Sequence, residues 1–404
     1  MTGFLTHSAR LLVISAAVLA ASGVRADDAA QTMPVEIANA DAGSRVDPTD
    51  RPGNPTPQHP ELSTPENTDT HKPPHEWQRA TDDWMGSRPW LEDRGISFNA
   101  SLSLDITQSF RGGASTRDTN AGTILDANLT LDAAKLFKLE GGTFFVNFQA
   151  QGGTHAGVSG AVQEPSDAAL ESRTQVSELW YEQKLFGEKL RLKLGKMDAN
   201  TDFSVIETAE DFLNGAFAAS PAIFGLPTHP DPAAGVVLFA YPTENLYAGA
   251  GVFDGRTIGG RPTGAHALSF SRVSTLFLIA EAGAKWSLPG GREGHVGVGA
   301  WHVTGDVPTF GGGTREGACG PYAFVEQQLW RAHAEGEEDE RGVSMFLQYG
   351  SAGASFSPVF RHIGGGLAWT GPCAARPLDV VGVGVSAATL GHDPAFVHSH
   401  ETVG

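Results

Sequence analysis

Cysteine is scarce in this 404-residue sequence, which contains only Cys319 and Cys373. Two thiols are too few for a disulfide scaffold, or for a zinc site with paired Cys-x-x-Cys ligands. An oxidising compartment would allow them to bridge, and their separation in the sequence leaves that question open. The sequence therefore excludes the small disulfide-rich and zinc-binding classes without deciding whether this pair joins.

Charge is also in short supply. Asp, Glu, Lys and Arg make up 18% of the residues, against roughly 25% in an average soluble domain. The charge that is present is mostly of one sign, because 46 acidic residues outnumber 28 basic ones and give a net charge of −18. Nucleic-acid binding needs a basic surface, so we do not predict nucleic acid as a partner.

Sequence motifs of catalysis are missing as well. The sequence has no GxSxG, no HExxH, no P-loop and no GxGxxG after a strand. Acidic pairs such as Asp202/Glu207 or Glu210/Asp211 would suit a glycosidase, but 46 acids make chance pairs inevitable. His398 and His400 have no nearby acidic or thiol cage and are interpreted as a solvated tail. We predict no enzyme activity, no cofactor and no metal.

No apolar run reaches the ~20 residues of a membrane helix, yet the N-terminus indicates export. Residues 1–26 combine the basic Arg10, an apolar stretch over 11–21 and a small-x-small end at Ala26, which is typical of a secretory signal peptide. Residues 27–76 are predicted to be a disordered periplasmic leader, because 8 prolines lie between Asp41 and His75. The folded domain is predicted over 77–404.

Glycine is abundant, and from Gly95 onward the apolar period is two. Ile96, Phe98 and Ala100 alternate with Ser97 and Asn99, which places one set of side chains on each face of a strand. The same pattern, clear or weaker, recurs over residues 125–132, 144–151, 189–194, 236–241, 246–253, 276–286, 295–303, 322–330, 343–349, 360–370 and 380–387. About thirteen strands and the start of another at 401–403 are predicted.

The connections between these strands alternate in length. Residues 141–142, 187–188, 242–245 and 289–291 are predicted to be tight turns, whereas 111–121, 152–175, 198–234, 254–274 and 305–318 are predicted to be long loops. Outer-membrane barrels have short periplasmic turns and long outer loops, and strands of about ten residues. The sequence therefore predicts an all-β fold, a transmembrane antiparallel β-barrel spanning 77–404.

One hairpin shows which face is which. A type II′ turn at Gly187-Glu188 would pair Leu185 with Leu190 and Glu182 with Lys193. One face would then carry Tyr181, Leu185, Leu190, Leu192 and Leu194, and the other would carry Glu178, Trp180, Glu182, Lys184, Lys189, Arg191 and Lys193. An apolar outside and a charged inside suit lipid outside and water inside. The alternative is a hairpin of a soluble sheet with a solvated charged face.

The charged face suggests sugar as the solute, because charged and amide groups bind hydroxyls and aromatic rings cover the apolar face of a sugar. The candidate pore-lining or substrate-binding residues are Asp105, Asp126, Asn128, Asn147, Gln149, Glu178, Trp180, Glu182, Lys184, Lys189, Arg191, Lys193, Glu281, Lys285 and Trp301. The alternatives are a general porin without sugar preference and a soluble exported all-β sugar-binding protein.

The sequence also resembles a known family. The runs Trp84–Arg88 and Leu91–Ile96, Glu178–Gln183, Leu190–Asn200, Phe212–Phe217, Pro232–Val236 and Gly251–Gly255 are similar to the carbohydrate-selective outer-membrane porins of the OprB type. The resemblance implies a 16-stranded barrel in the bacterial outer membrane that passes glucose and other small sugars by facilitated diffusion. It also implies a narrow part lined by acidic and basic residues, here matched to the hairpin from Glu178 to Lys193.

The resemblance implies more strands than the sequence shows. The resemblance implies further strands and an aromatic end, so either the given chain lacks its C-terminal part, which we favour, or it closes with fewer strands and an unusual end. Small sugars and outer-membrane lipid are the expected partners, and association of several copies stays open.

Overall fold

The computed structural model describes residues 84–108, 119–153, 172–259, 275–332, 341–373, 377 and 379–392, together with the strand course of residues 10–17. It contains fourteen strands: β1 Arg10–Ala17, β2 Ile96–Gln108, β3 Thr119–Asp132, β4 Gly142–Gly153, β5 Arg173–Leu185, β6 Leu190–Met197, β7 Ala233–Thr243, β8 Leu246–Asp254, β9 Leu276–Leu288, β10 Arg292–Pro308, β11 Thr314–Arg331, β12 Gly342–Ser351, β13 Val359–Thr370 and β14 Val380–Leu390. The short helices are α1 Ser87–Glu92, α2 Ala133–Phe137 and α3 Gly215–Ala218.

All strands belong to one antiparallel sheet. Each of the strands β2 to β13 pairs with the next in the sequence, and β1 pairs with β14, so β1 and β2 are the two end strands. The thirteen strands from β2 onward confirm the predicted all-β fold. β1 falls within the predicted signal peptide and was not expected. The leader and the predicted strand at 401–403 lie outside the described residues.

The two faces of the sheet differ in chemistry. On β13, Ile363, Leu367 and Trp369 point outward and are 57%, 44% and 45% exposed, while His362 points inward and is 1% exposed. Other exposed apolar side chains repeat this on neighbouring strands, among them Leu102, Leu104, Ile106, Leu194, Val236, Leu238, Val252, Val298, Leu347, Tyr349, Val383 and Val385. An exposed apolar belt around a polar interior is the arrangement of a membrane barrel.

The connections follow the predicted alternation with two corrections. The predicted tight turn at Gly141-Gly142 was wrong, because β3 ends at Asp132 and α2 follows. The carboxylate of Asp132 starts this helix by accepting the N–H groups of Ala134 and Lys135. The predicted long loop at 305–318 was also wrong, because β10 and β11 extend to Pro308 and Thr314.

The charged hairpin has the predicted register. Leu185 pairs with Leu190, Lys184 with Arg191, and Glu182 with Lys193. The predicted type II′ turn was wrong, because Phe186, Gly187 and Glu188 all have positive φ angles, 56°, 63° and 65°, whereas a type II′ turn has a positive φ only at its first central residue. The faces assigned to β5 and β6 from the sequence are therefore those of the structure.

A long segment between β6 and β7 folds against the inward face of the sheet. We call residues 198–232 the inner loop; it contains two 3₁₀ turns, Ala199–Thr201 and Glu207–Ala209, and α3. Gln348 of β12 donates to the carbonyls of Ala216 and Phe217 at 2.8 and 2.9 Å. His362 of β13 lies 3.1 Å from the hydroxyl of Ser220. The sheet therefore curves around the inner loop.

None of the helices within the described ranges is long and apolar enough to cross a membrane.

Candidate functional site

The central feature of the site is an ion cluster that joins the inner loop to the wall. Asp202, at the end of the first 3₁₀ turn, lies 2.7 Å from Arg191 and 3.0 Å from Lys193 of β6. Arg191 also contacts Glu182 of β5 at 3.2 Å. Burial alone would raise the pKa of Asp202, but the ammonium of Lys193 and the guanidinium of Arg191 outweigh it and hold that pKa below its usual range. Asp202 is therefore a charged anchor.

Aromatic rings support the cluster from the wall. Trp180 stacks on Phe145 with ring centroids 4.8 Å apart, and the ammonium of Lys193 lies 4.4 Å from the centre of the Trp180 ring. The indole N–H donates to Glu178 at 3.1 Å. Gly195, opposite Trp180, has a φ of 137°, and a Cβ there would lie 2.2 Å from the Leu179 carbonyl oxygen. Only glycine lets the two strands approach at this rung.

A second polar network fixes the same loop to the wall at β8, β9 and β11. Glu281 of β9 accepts the Ser204 N–H and the hydroxyls of Tyr247 and Tyr322, each at 2.8 Å. The Tyr322 ring lies over Gly299, and a Cβ at Gly299 would be 2.2 Å from Cζ of Tyr322. Next to it, Glu326 of β11 accepts the N–H and the hydroxyl of Thr208, both at 2.9 Å. Carboxylates from the wall thus replace water at the loop backbone.

A third polar group lies on β3, β4 and β5. Asn147 and Gln149 donate to the same oxygen of Asp126 at 2.9 and 3.1 Å. Gln175 in turn donates to Gln149 at 3.1 Å and to the Pro230 carbonyl at 2.9 Å. We call Asp126, Asn147, Gln149 and Gln175 the amide ladder. It connects the middle of β3 with the far end of the inner loop.

The structure places the candidate residues on the inward face in separate groups. Glu178, Trp180, Glu182, Arg191 and Lys193 come together in and beside the ion cluster, and Asp126, Asn147 and Gln149 form the ladder. The remaining candidates are spread out. Asp105 and Asn128 are half-buried, and Lys189 is exposed in the turn. Lys184 lies 3.8 Å from Glu188.

The candidates Lys285 and Trp301 differ in their exposure. Lys285 is 3.7 Å from Glu207 of the inner loop, and both side chains are largely exposed. Trp301 is 1% exposed and lies in the core between Phe277 and Phe224. It faces inward as the period predicts, but the inner loop covers it.

Several residues of the site were not identified from the sequence. Asp202 appears there only as half of a chance acidic pair, and Tyr247, His295, Tyr322 and Glu326 not at all. His295 lies 2.8 Å from the Tyr247 hydroxyl and 3.2 Å from Glu326, so it joins two carboxylate anchors. The inward parity of β8, β10 and β11 was the available signal for these four.

The sequence left a disulfide between the two cysteines open and predicted no metal site. Cys319 and Cys373 are both free and exposed. Within the ranges that the structure describes, no three His, Cys, Asp or Glu side chains are grouped as metal ligands. His398 and His400 lie outside those ranges.

Comparisons with known proteins agree with this fold. The family model "Carbohydrate-selective porin, OprB family" matches residues 118–399. The high-pH structure of Pseudomonas putida OprB superposes with a TM-score of 0.69 at 19% identity, over 80% of this chain and 83% of that one. The low-pH structure of the same protein gives 0.50 at 16% identity, over 76% and 82%. No curated protein sequence matches the chain.

The match to the family model covers most of the chain, and the fold agrees with that of a solved OprB structure. This excludes the soluble exported protein that the sequence left open. The chain belongs to the carbohydrate-selective porins of the OprB family, and it is an outer-membrane β-barrel protein.

Proposed function

We propose that this porin lets small neutral sugars such as glucose cross the outer membrane by facilitated diffusion through a narrow, charged pore. The observation that carries the proposal is the inner loop, which Asp202 ties to Arg191 and Lys193 at 2.7 and 3.0 Å. A loop held against the inner wall narrows the lumen. A solute must then pass close to the polar groups around the loop, so their chemistry selects it.

The groups at this narrow part suit a polyol. Glu182, Lys184 and Lys285 keep partly exposed polar ends on the inward face. A sugar exchanges its hydrogen bonds to water for bonds to such groups and carries no net charge to desolvate. Trp180 is covered by Phe145 and Lys193. We therefore assign its ring to the rigidity of the wall and not to stacking on the sugar.

We further propose a passive channel, and neither an enzyme nor a cofactor-dependent pump. One of the two acidic pairs that would suit a glycosidase is engaged elsewhere, since Asp202 binds two cations and Glu207 faces Lys285. General acid catalysis requires a carboxyl group that can donate a proton to the leaving oxygen. A carboxylate held by Arg191 and Lys193 is a poor proton donor.

Liposome swelling tests the sugar preference. Purified full-length chain is reconstituted, and the rates are compared for glucose and for a size-matched zwitterionic amino acid. We expect glucose to enter several-fold faster, because the amino acid must expose two full charges to the charged wall and lose part of their hydration. Empty liposomes give the background rate. Equal rates for the two solutes would leave a general porin and remove the preference.

A further inference from the structure

We propose that the amide ladder is a second sugar-binding subsite, centred on Asp126 and separate from the ion cluster. Its ligand is a neutral polyol with adjacent hydroxyls, such as a pyranose. This inference rests on the proposed sugar transport and adds a place where the sugar is held before it reaches the narrow part.

The first argument is the orientation of the Asp126 carboxylate. Both amide donors, Asn147 at 2.9 Å and Gln149 at 3.1 Å, bind its Oδ1. The lone pairs of Oδ2 are used by neither amide, and the residue is only half-buried. An ionised carboxylate forms stronger hydrogen bonds than a neutral acceptor does, and here its rotamer is held in place. Asp126 is thus preorganised to accept sugar hydroxyls.

The second argument is the surplus of acceptors beside it. Asn147 Oδ1 and Gln175 Oε1 are buried and have no hydrogen-bond partner among the described residues. Gln175 is 2% exposed and its amide nitrogen is already committed to Gln149 and Pro230. Leaving a buried acceptor without a donor destabilises the protein. Hydroxyl donors of a bound polyol, directly or through a water, would relieve that cost.

The third argument is position. The Gln149–Gln175 rung lies six residues along β4 from the Thr143–Glu182 rung of the ion cluster, or about 20 Å along the strand, and the other end of the ladder, Asn147, pairs with Glu178 beside that cluster. It is also nearer the end of β4 and β5 that carries the long connection, which in outer-membrane barrels faces the cell exterior. A sugar entering from outside therefore meets the ladder first.

The ladder differs from the ion cluster in charge. Its hydrogen bonds join one carboxylate and three amides, and the two cations beside it are engaged, Arg173 with Asp231 at 2.7 Å and Lys196 with the Val176 carbonyl at 2.8 Å. A carboxylate among amides provides both acceptors and donors for the hydroxyls of a neutral sugar, and the negative charge of Asp126 repels a phosphate or a carboxylate. The subsite thus selects for polyols, whereas the cluster narrows the path.

The test measures glucose flux against concentration in proteoliposomes that contain the full-length chain. Asp126→Asn keeps the shape and removes the charge, and Gln149→Leu removes one donor that orients Asp126. We expect Asp126→Asn to raise the half-saturating glucose concentration about tenfold, which corresponds to ~1.4 kcal/mol. Gln149→Leu, as the loss of a positioning residue, should raise it less, and the maximal flux should not fall in either variant.

Controls separate this inference from the proposed function. Glu140→Gln changes a matched carboxylate in the exposed connection after α2 and should leave the curve unchanged. Gel migration before and after heating confirms that each variant is a folded barrel. If wild-type flux saturates with glucose and both ladder variants follow the wild-type curve, the subsite is refuted and sugar transport stands. If wild-type flux shows no saturation, the proposed function fails and the subsite with it.

Discussion

Asp202→Ala is expected to free the inner loop, raise single-channel conductance several-fold and cost about 3–5 kcal/mol of stability. The side chains of Asp202 and Lys193 are 1% and 4% exposed, and that of Arg191 is 10% exposed. Removing the shared anion leaves two buried cations without their closest partner, and uncompensated buried charge is among the most destabilising changes a protein can suffer. The response with the lowest free-energy cost is that the loop leaves the wall and water reaches Arg191 and Lys193.

Conductance and ion selectivity of Asp202→Ala in a planar bilayer would measure the release of the inner loop. A pore with two uncovered cations at its narrow part should also shift toward anions, which a reversal potential in a KCl gradient detects. The matched control is Asp231→Ala in the same loop, where the Arg173 pair is about one quarter exposed on each side and contributes roughly 0–1 kcal/mol.

A double variant sharpens the test. In Asp202→Ala combined with Lys193→Met, one of the two uncovered charges is gone, so stability should recover part of the single-variant loss. If Asp202→Ala instead has wild-type conductance, wild-type selectivity and wild-type urea resistance, the ion cluster does not hold the loop. The inner loop would then not form the narrow part of the pore.

Ile363→Arg is expected to impair insertion and lower the free energy of unfolding in lipid by about 2–4 kcal/mol. Ile363 points outward near the middle of β13 and is 57% exposed, so we expect its side chain to contact the hydrocarbon region. The outward Arg361, two residues nearer the strand end, shows that the same face accepts a cation closer to the headgroups. Urea unfolding in phospholipid vesicles and the yield of the heat-modifiable form are the measurements.

The control for this variant is Ile363→Leu, which keeps an apolar side chain at the same depth and should insert as the wild type does. A full yield of inserted Ile363→Arg would mean that this face does not meet lipid. The assignment of inside and outside on β13, and by alternation on its neighbours, would then be reversed.

Much of the fold is local and could be predicted from the sequence. The period of two from Ile96 onward and the turn at Gly187-Glu188 are enough to give the register Leu185–Leu190 and Glu182–Lys193, because each strand pairs with its neighbour in sequence. The type of that turn was missed, since Glu188 adopts a left-handed backbone that its side chain does not favour.

The candidate site was predictable in its faces and not in its partners. Alternation puts Arg191 and Lys193 inward, but it contains no information on a loop that turns back into the barrel. Asp202 reaches them because the inner loop folds back onto the wall. The position of that loop depends on packing such as that of Phe203 against Phe239, whose ring centroids are 5.1 Å apart. Trp301 shows the same limit, because its inward face was predicted and its cover by Phe224 was not.

The amide ladder could be predicted from the sequence only in part. Asp126, Asn147 and Gln149 were all predicted to line the lumen, and neighbouring strands bring them to adjacent rungs. Gln175 was not predicted, because residues 152–175 were predicted to be a loop, whereas β5 begins at Arg173. Its position opposite Gln149 also depends on a bulge between Asn147 and Phe148, which shifts the β4–β5 register. Bulges re-aim a side chain without leaving a clear sequence signal.

Glucose flux as a function of concentration, compared between wild type and Asp202→Ala in proteoliposomes, tests most directly whether sugars pass a selective narrow part built by the inner loop. A narrow pore with polar contacts predicts saturating flux for the wild type, and flux that rises nearly in proportion to concentration for the variant. Identical, non-saturating curves for both proteins would contradict the account.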